Sequence, residues 1–178
     1  MSIRQQAARI SGAIDRFNDI LGRTVSWLTL LMVITMFTVA VLRYAFNIGW
    51  IAMQESITYM HACVFLLGAA FTLKQDGHVR VDIFYRGASI RYKALVDLLG
   101  CLLLLLPVCV FIFWVSWDYV SSSWALSEGS REAGGLPGVY LLKSTILLMA
   151  ATMSLQGVSI ILKNILILSD TSSRQHSG

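Results

Sequence analysis

The stretch Gly68–Tyr85, GAAFTLKQDGHVRVDIFY, decides how this chain is organised. An apolar run ends at Leu73, and a polar turn of Lys, Gln, Asp and Gly follows it. Beyond the turn, basic residues recur among apolar ones until the next apolar run begins near Ala94. Lys and Arg are costly to move across a bilayer and collect on its cytoplasmic side, so a short basic connector fixes the orientation of the runs that flank it. We predict that this connector is cytoplasmic.

The composition of the chain is that of an integral membrane protein. Of its 178 residues, 56% are hydrophobic and only 13% are charged, with a mean hydropathy of +0.68, which is more apolar than a soluble domain of this size. The net charge of +4 could indicate nucleic acid. However, the basic residues lie in short segments beside apolar runs, which favours anionic lipid headgroups as partners. The three cysteines lack metal-ligand spacing and are predicted to be buried apolar side chains: Cys63, Cys101 and Cys109.

Four apolar runs predict an all-α fold with four transmembrane helices in one domain, residues 25–168. The predicted spans are about 25–42, 56–73, 94–115 and 139–162. The first has 18 uncharged residues, and at about 1.5 Å per residue it covers roughly 27 Å, enough for a bilayer core. It is longer than the apolar region of a signal peptide, and Arg43 and Tyr44 follow it where a cleavage site needs small residues. We therefore expect it to remain in the mature protein.

The segment before the first span, residues 1–24, is predicted to be an amphipathic helix. Its apolar residues recur at spacings of three and four, which places them on one helix face: Ile3, Ala7, Ile10, Ile14, Phe17 and Leu21. Four arginines lie among them, and such a helix could lie along the cytoplasmic membrane surface. The alternative is a solvated extension of the first span. At the other end, residues 169–178 are polar and are predicted to be a disordered tail.

The distribution of basic residues predicts the topology. Eleven of the fourteen Lys and Arg residues fall in the N-terminal segment, in the connector 74–93 or near the C-terminus. Only Arg43, Arg131 and Lys143 lie at the opposite end of the spans. Both termini are therefore predicted to be cytoplasmic. The two remaining connectors would face the periplasm of a Gram-negative bacterium.

Few ionisable or amide side chains lie deep inside the predicted spans. His61 could carry a proton or bind haem, although a single interhelical hydrogen bond is the commoner role of a lone histidine. Asp97 could bind an ion, but Lys93 one turn away favours an interfacial ion pair. Pro107 is predicted to kink the third span. Gln156 should not face lipid, because an unpaired buried amide costs about 1–3 kcal/mol.

Gln156 belongs to a polar face of the fourth span. The other members of this face are Thr145, Thr152, Ser159 and Lys163. The face could pack inside the protein's own bundle or against another subunit, and the sequence leaves both open. In the second span, Gly68, Ala69 and Ala70 would let another helix approach closely.

The sequence contains no phosphate-binding glycine loop, no catalytic triad that spacing supports and no Cys/His metal cluster. It also lacks the several ionisable groups near mid-membrane that a transporter working alone would need. We interpret the chain as a non-enzymatic membrane subunit. Two alternatives come from other classes: a membrane anchor of a redox enzyme, with haem b on His61 or without haem, and a self-sufficient exporter that uses Glu55 as its proton site.

A set of motifs in a fixed order resembles one family over about residues 15–165. The motifs are Arg43-Tyr44, Phe46-Asn47, Trp50, Glu55, Gly68-Ala69-Ala70, Gly77–Asp82 (GHVRVD), Glu128–Glu132 (EGSRE), Gly134–Pro137 (GGLP), Tyr140–Lys143 (YLLK) and Leu155-Gln156-Gly157. Together they resemble the small membrane subunit of tripartite ATP-independent periplasmic (TRAP) transporters. They are also similar to a branch of that family often labelled for mannitol or chloroaromatic compounds.

The resemblance implies a three-part import system without a bound cofactor in this chain. A periplasmic binding protein would capture an organic acid, and a large membrane subunit would move it together with sodium. The small subunit would enlarge the stationary scaffold beside the moving domain and offer part of the docking surface for the binding protein. Besides these two proteins the expected partners are membrane lipids, and nucleic acid is not expected.

This assignment gives roles to individual residues. Membrane anchoring is expected from Arg43, Trp50, Lys74, Arg80 and Trp117. The interface with the large subunit is expected at Gly68, Ala69, Lys143 and Gln156, and docking of the binding protein at Glu128, Arg131 and Glu132. In the cytoplasmic motif His78, Arg80 and Asp82, the aspartate would pair with Arg80 or with a basic group of the large subunit; a solvated turn is the alternative.

Overall fold

The computed structural model describes residues 3–77 and 87–175, and all of its regular structure there is helical. The predicted motif His78, Arg80 and Asp82 lies outside these described residues. The helices are α1 (Ile3–Ala45), α2 (Ile51–Ala62), α3 (Gly68–Lys74), α4 (Ile90–Gly100), α5 (Leu106–Ala125) and α6 (Val139–Gln175). A wider π turn, Cys63–Leu67, joins α2 to α3, and a second, Cys101–Leu105, joins α4 to α5.

The prediction of four spans is confirmed. Four helical segments are long and apolar enough to cross a membrane: residues 4–45, 51–74, 90–125 and 139–169. We call 51–74 the second span and 90–125 the third. In the third, Pro107 is the second residue after the π turn, and the helix continues through α5 to Ala125. Proline lacks the N–H that an α-helix needs, and the wider turn before it accommodates the missing bond.

The N-terminal segment and the first span form one continuous helix. Helix α1 runs without a break for 43 residues from Ile3, about 64 Å at 1.5 Å per residue. Helix α6 is also longer than its predicted span of 139–162, with 37 residues. Residues 169–175, predicted to belong to a disordered tail, form its last turns. The two termini thus lie at the same end of the bundle, which we call the terminal end; the other is the connector end.

Helix α6 is the centre of the bundle. In its most apolar stretch 33% of the residues are buried, against 6% to 11% in the other three spans. It contacts α1, the second span and the third span. Within the described residues, α1 and the second span also pack against each other, whereas the third span packs against no other helix than α6. The bundle is therefore an open arrangement, with the third span held from one side only.

The buried face of α1 carries polar side chains in its N-terminal half. The side chains that it buries against its neighbours include Ser11, Asn18 and Val25, at intervals of seven. Ile10 and Phe17, members of the predicted apolar face, are half exposed. In a bilayer apolar side chains can face lipid or another protein at no cost, while polar groups need partners inside the protein. Helix α1 follows this rule.

Close packing explains one glycine in α1. A Cβ atom at Gly22 would lie 2.4 Å from Cγ of Phe71, so only glycine lets α1 approach the second span at this point. Two of the cysteines, Cys101 and Cys109, are buried as predicted, and Cys63 is half-buried; all three are free thiols.

Candidate functional site

The long connector, residues 126–138, is an ordered loop at the connector end. Its backbone closes on itself: the amide of Ser130 donates to Leu136 O at 3.0 Å, and the amide of Val139 donates to Glu128 O at 3.0 Å. Ser127 and Gly134 adopt positive φ values of 45° and 80°, which turn the chain where α5 ends and inside the loop. These bonds fix the shape of the loop, and two carboxylates attach it to the spans.

The first carboxylate is Glu55, in the first turns of α2. One of its oxygens accepts a hydrogen bond from the hydroxyl of Ser130, and the other accepts one from the backbone amide of Leu136 at 2.6 Å. Gly135 lies against this contact, and a Cβ atom there would be 2.4 Å from Ser130 Oγ and 2.8 Å from Glu55 Oε2. The glycine is therefore required for the carboxylate to reach the loop. Glu55 therefore holds the long connector against α2.

The second carboxylate is Glu128, at the start of the long connector. Its Oε2 atom accepts hydrogen bonds from Ser123 Oγ at 2.6 Å and from Lys143 Nζ at 2.5 Å. The lysine ammonium also lies 3.9 Å from the centre of the Tyr119 ring, an arrangement that stabilises a cation. The hydrogen bond from Lys143, followed by that from Ser123, lowers the pKa of Glu128 below its ordinary value of 4.5. Glu128 thus joins the ends of α5 and α6.

An aromatic contact reinforces the junction of α5 and α6. Trp124 Nε1 donates a hydrogen bond to Ser144 Oγ at 2.8 Å. The ring of Trp124 also meets that of Tyr140 edge to face, with 4.7 Å between centroids, a favourable geometry for aromatic pairs. The tip of the loop is different, because Arg131 and Glu132 are both exposed there. The loop consequently presents two adjacent and opposite charges on a fixed support.

A second polar cluster, the polar seam, joins α1 to α6 toward the terminal end. Asn18 Nδ2 donates to Gln156 Oε1 at 2.7 Å, and Gln156 Nε2 donates to Asp15 Oδ1 at 3.1 Å. The same aspartate oxygen accepts from Ser159 Oγ at 2.7 Å, and the other oxygen pairs with Lys163. Asn18, Gln156 and Ser159 are buried. The polar seam uses the donors of the predicted α6 face to hold the start of α1 in line with the first span.

A third contact lies beside the polar seam. Lys74, at the end of the second span, forms an ion pair with Asp19 of α1 at 2.7 Å. Its side chain is only 20% exposed. Lys74, which we predicted as a membrane anchor, therefore ties two helices of the chain together.

The structure separates the predicted residues into two groups. Those drawn into contacts within the chain are Lys74, Glu128, Lys143 and Gln156. For Gln156 the internal alternative is the one found, since this side chain has no exposed surface. Those with exposed or half-exposed surface are Arg43, Trp50, Gly68, Ala69, Trp117, Arg131 and Glu132.

Gly68 and Ala69 line an open groove together with Phe65 and Met149, and no atom outside the glycine's own helix lies within 4 Å of a Cβ placed at Gly68. Space for a close neighbour therefore exists at the predicted small-residue face. His61 is exposed, with its ring stacked 6.3 Å from that of Phe65, and belongs to neither polar cluster. Within residues 3–77 and 87–175 no group of three or more His, Cys, Asp or Glu side chains could hold a metal ion.

Sequence reasoning missed the partners of the carboxylates. Glu55 contacts residues 75 and 81 positions away, and Asp15 contacts a lysine 148 positions away. A signal for the polar seam was present in α1, where Ser11, Asp15 and Asn18 recur at spacings of four and three. No comparable pattern in the sequence indicates that Ser123 and Ser130 donate hydrogen bonds to carboxylates.

The fold and these clusters define the class of the protein. It is a multi-pass helical membrane protein, and the charged groups in the contacts described above join its own helices. The family model described as "Tripartite ATP-independent periplasmic transporters, DctQ component" matches residues 15–166, and the chain belongs to this family. It is thus a small membrane subunit of a TRAP transporter and a multi-pass inner-membrane protein. No curated protein and no solved structure matches the chain. The family match favours the transport interpretation over the redox anchor and the exporter.

Proposed function

We propose that this subunit is a non-catalytic scaffold in a sodium-coupled TRAP transporter that imports an organic acid, and that it supplies part of the docking surface for the periplasmic binding protein. The mannitol or chloroaromatic branch stays a prediction, because the family match names no branch. The proposal places both termini in the cytoplasm and the long connector in the periplasm, following the bias of basic residues toward the terminal end.

One observation carries the docking role. The long connector is fixed from both sides, by Glu55 of α2 and by Lys143 of α6, yet Arg131 and Glu132 at its tip are exposed. A loop already ordered before binding loses little conformational entropy when a partner arrives. Adjacent charges of opposite sign also orient a partner that carries the complementary pair. The loop is suited to recognise a soluble protein.

The scaffold role is supported by the use of charge inside the bundle. Asp15, Asp19 and Glu55 each accept hydrogen bonds or ion pairs from groups of the same chain. Such contacts would have to break for these side chains to carry ions. Each broken contact would leave a carboxylate without its hydrogen-bond donor, which is unfavourable. These residues favour a bundle that keeps its shape while a neighbouring subunit moves.

Binding of the purified binding protein to the reconstituted membrane complex tests the docking role. Exchanging the two tip charges, as Arg131→Glu with Glu132→Arg, should weaken that binding by at least ten-fold, because each charge would meet one of its own sign. The complex should assemble at normal yield, since neither side chain holds the loop. Gln75→Glu, an exposed change at the opposite end of the bundle, is the control. Unchanged affinity in the exchanged variant would remove the tip from the docking surface.

A further inference from the structure

The exposed face of α6 carries a strict heptad repeat. Leucines occur at every seventh position, and smaller or branched residues lie three positions after each: Leu141, Leu148, Leu155 and Leu162, with Ser144, Ala151, Val158 and Ile165. We call these eight residues the α6 seam. A repeat of this kind places all its members on one side of a helix, where they can pack into the holes of a second helix.

The structure leaves the α6 seam largely uncovered. Leu141, Leu148 and Leu155 are 52%, 51% and 43% exposed. Val158 and Ile165 are also exposed, at 38% and 48%. The polar seam to α1 and the contact of Gly157 with Leu105 of the third span lie on other sides of the same helix. The centre of the bundle is therefore covered by three spans on one side and open on the other.

The α6 seam is the floor of a trough and not a convex ridge. One wall is α5, because Trp117 and Trp124 line the same cavity of about 430 Å³ as Ser144 and Leu148. The other wall is α1. Successive side chains of an α-helix are about 100° apart around its axis. This rotation places Ile10 and Phe17 on the flank of α1 that is turned away from the second span. Both side chains are half exposed. The two walls do not contact each other within the described residues.

We propose that the trough binds a transmembrane helix of the large membrane subunit, packed along the α6 seam; the inference rests on the proposed function. The seam extends over 25 residues, Leu141 to Ile165, or roughly 36 Å, which matches the thickness of a bilayer core. The occupant must then be a segment that crosses the membrane. Leucines alternating with Ser144 and Ala151 form knobs and holes, and this geometry gives a left-handed crossing near +20°.

The size of the exposed surface fits a protein partner. The exposed α6 seam residues together with Trp117 and Trp124, each about half exposed, offer on the order of 600 Å², close to the ~800 Å² that one partner of a stable interface covers. Fluid lipid chains do not require a seven-residue period. Small residues at the seam instead favour close helix contact, which is what stabilises helix pairs in membranes.

Photocrosslinking in the assembled transporter tests this placement. A benzophenone amino acid at Leu148 or Leu155 should form an adduct with the mass of this chain plus the large subunit. The control position is Phe111, which is 66% exposed on α5 but lies on the side turned away from the trough. Adducts with the large subunit at Phe111 and none at the two leucines would overturn the inference, as would adducts with a second copy of this chain or with lipid alone.

A bulk-increasing substitution gives an independent readout. Ala151→Phe should lower co-purification of the large subunit at least ten-fold, because it fills a hole of the α6 seam, while the melting temperature of the isolated chain stays unchanged. Val115→Phe, on an exposed position of α5, should leave co-purification intact. Normal co-purification of Ala151→Phe would contradict the placement. Failure of the wild-type chain to co-purify would instead refute the proposed function, and the inference with it.

Discussion

At the scale of single residues, the membrane subunit uses charge to fix geometry. The carboxylate of Glu128 accepts hydrogen bonds from Lys143 and Ser123, and that of Glu55 accepts one from the backbone amide of Leu136. Removing one member of such a group takes a hydrogen-bond partner from the others. Gly135 is needed for the same reason, since any side chain there would displace the Glu55 carboxylate.

The contact at Glu128 predicts a pH dependence of the long connector. Its pKa lies below the ordinary value of 4.5, chiefly because Lys143 donates a hydrogen bond to it. A carboxyl group with a lowered folded-state pKa stabilises the fold above its ordinary pKa and loses that contribution as the pH falls through the folded-state value. The protection factors of the loop amides, which correct for the intrinsic pH dependence of hydrogen exchange, should therefore fall below about pH 4.5.

The variant Glu128→Gln is the control for this prediction. Its amide does not titrate, so its loop should exchange faster at neutral pH and lack the part of the acid response that depends on Glu128. An identical acid response in wild type and variant would show that another group controls the loop. The long connector therefore offers a test of one ion pair that needs no transport assay.

At the scale of helices, the polar seam decides the course of α1. In this seam Asn18 donates a hydrogen bond to Gln156, and Gln156 donates one to Asp15. An extended N-terminal helix could otherwise bend onto the membrane surface, as its apolar face suggests. The bonds to α6 hold it against that helix, and they also explain why its apolar face is left half exposed.

Replacing Gln156 with leucine should therefore destabilise this chain itself. The change removes the acceptor of Asn18 and one donor to Asp15, and the unpaired buried groups should cost about 1–3 kcal/mol. The measurement is thermal unfolding of the isolated subunit in detergent. Ser154→Ala is the matched control, because Ser154 donates to Ala150 O of its own helix at 2.7 Å and also contacts Cys109, and neither contact belongs to the polar seam. An unchanged melting temperature for Gln156→Leu would contradict the importance of the polar seam.

At the scale of the whole molecule, the open arrangement separates three surfaces. The connector end presents Arg131 and Glu132, the terminal end carries the basic segments, and the trough along α6 lies between the two. The proposed scaffold would use these separate surfaces for a soluble protein, for lipid headgroups and for a membrane subunit. Within the described residues the third span packs on α6 and on no other helix. It forms one wall of the trough, and the long connector begins at its end.

The proposed orientation can be measured directly. A cysteine at Arg131 should react with a membrane-impermeant maleimide in intact cells, because the loop tip would face the periplasm. A cysteine at Gln75, exposed at the terminal end, should react only after the cells are permeabilised. The wild-type chain gives the background, since two of its cysteines are buried and one is half-buried. The reverse labelling pattern would invert the topology and place the loop on the cytoplasmic side.

The sequence by itself determined the membrane class, the four spans and the family. These follow from properties that a segment carries alone: apolar length, the positions of Lys and Arg, and motifs in a fixed order. The motif between Gly129 and Pro137 also indicated where a loop would present Arg131 and Glu132. The roles of these two residues remain predictions, and the burial of Gln156 was one of two alternatives left open.

Only the tertiary structure decided which polar groups meet. Periodicity tells which residues share a face but not which helix covers that face, and the partners of Glu55 and Asp15 are 75 to 148 residues away. In a membrane the rule that apolar faces are buried also loses its force, because lipid can cover them as well as protein can. For that reason α1 buries Ser11 and Asn18 and exposes Phe17, and α6 leaves its leucine repeat open.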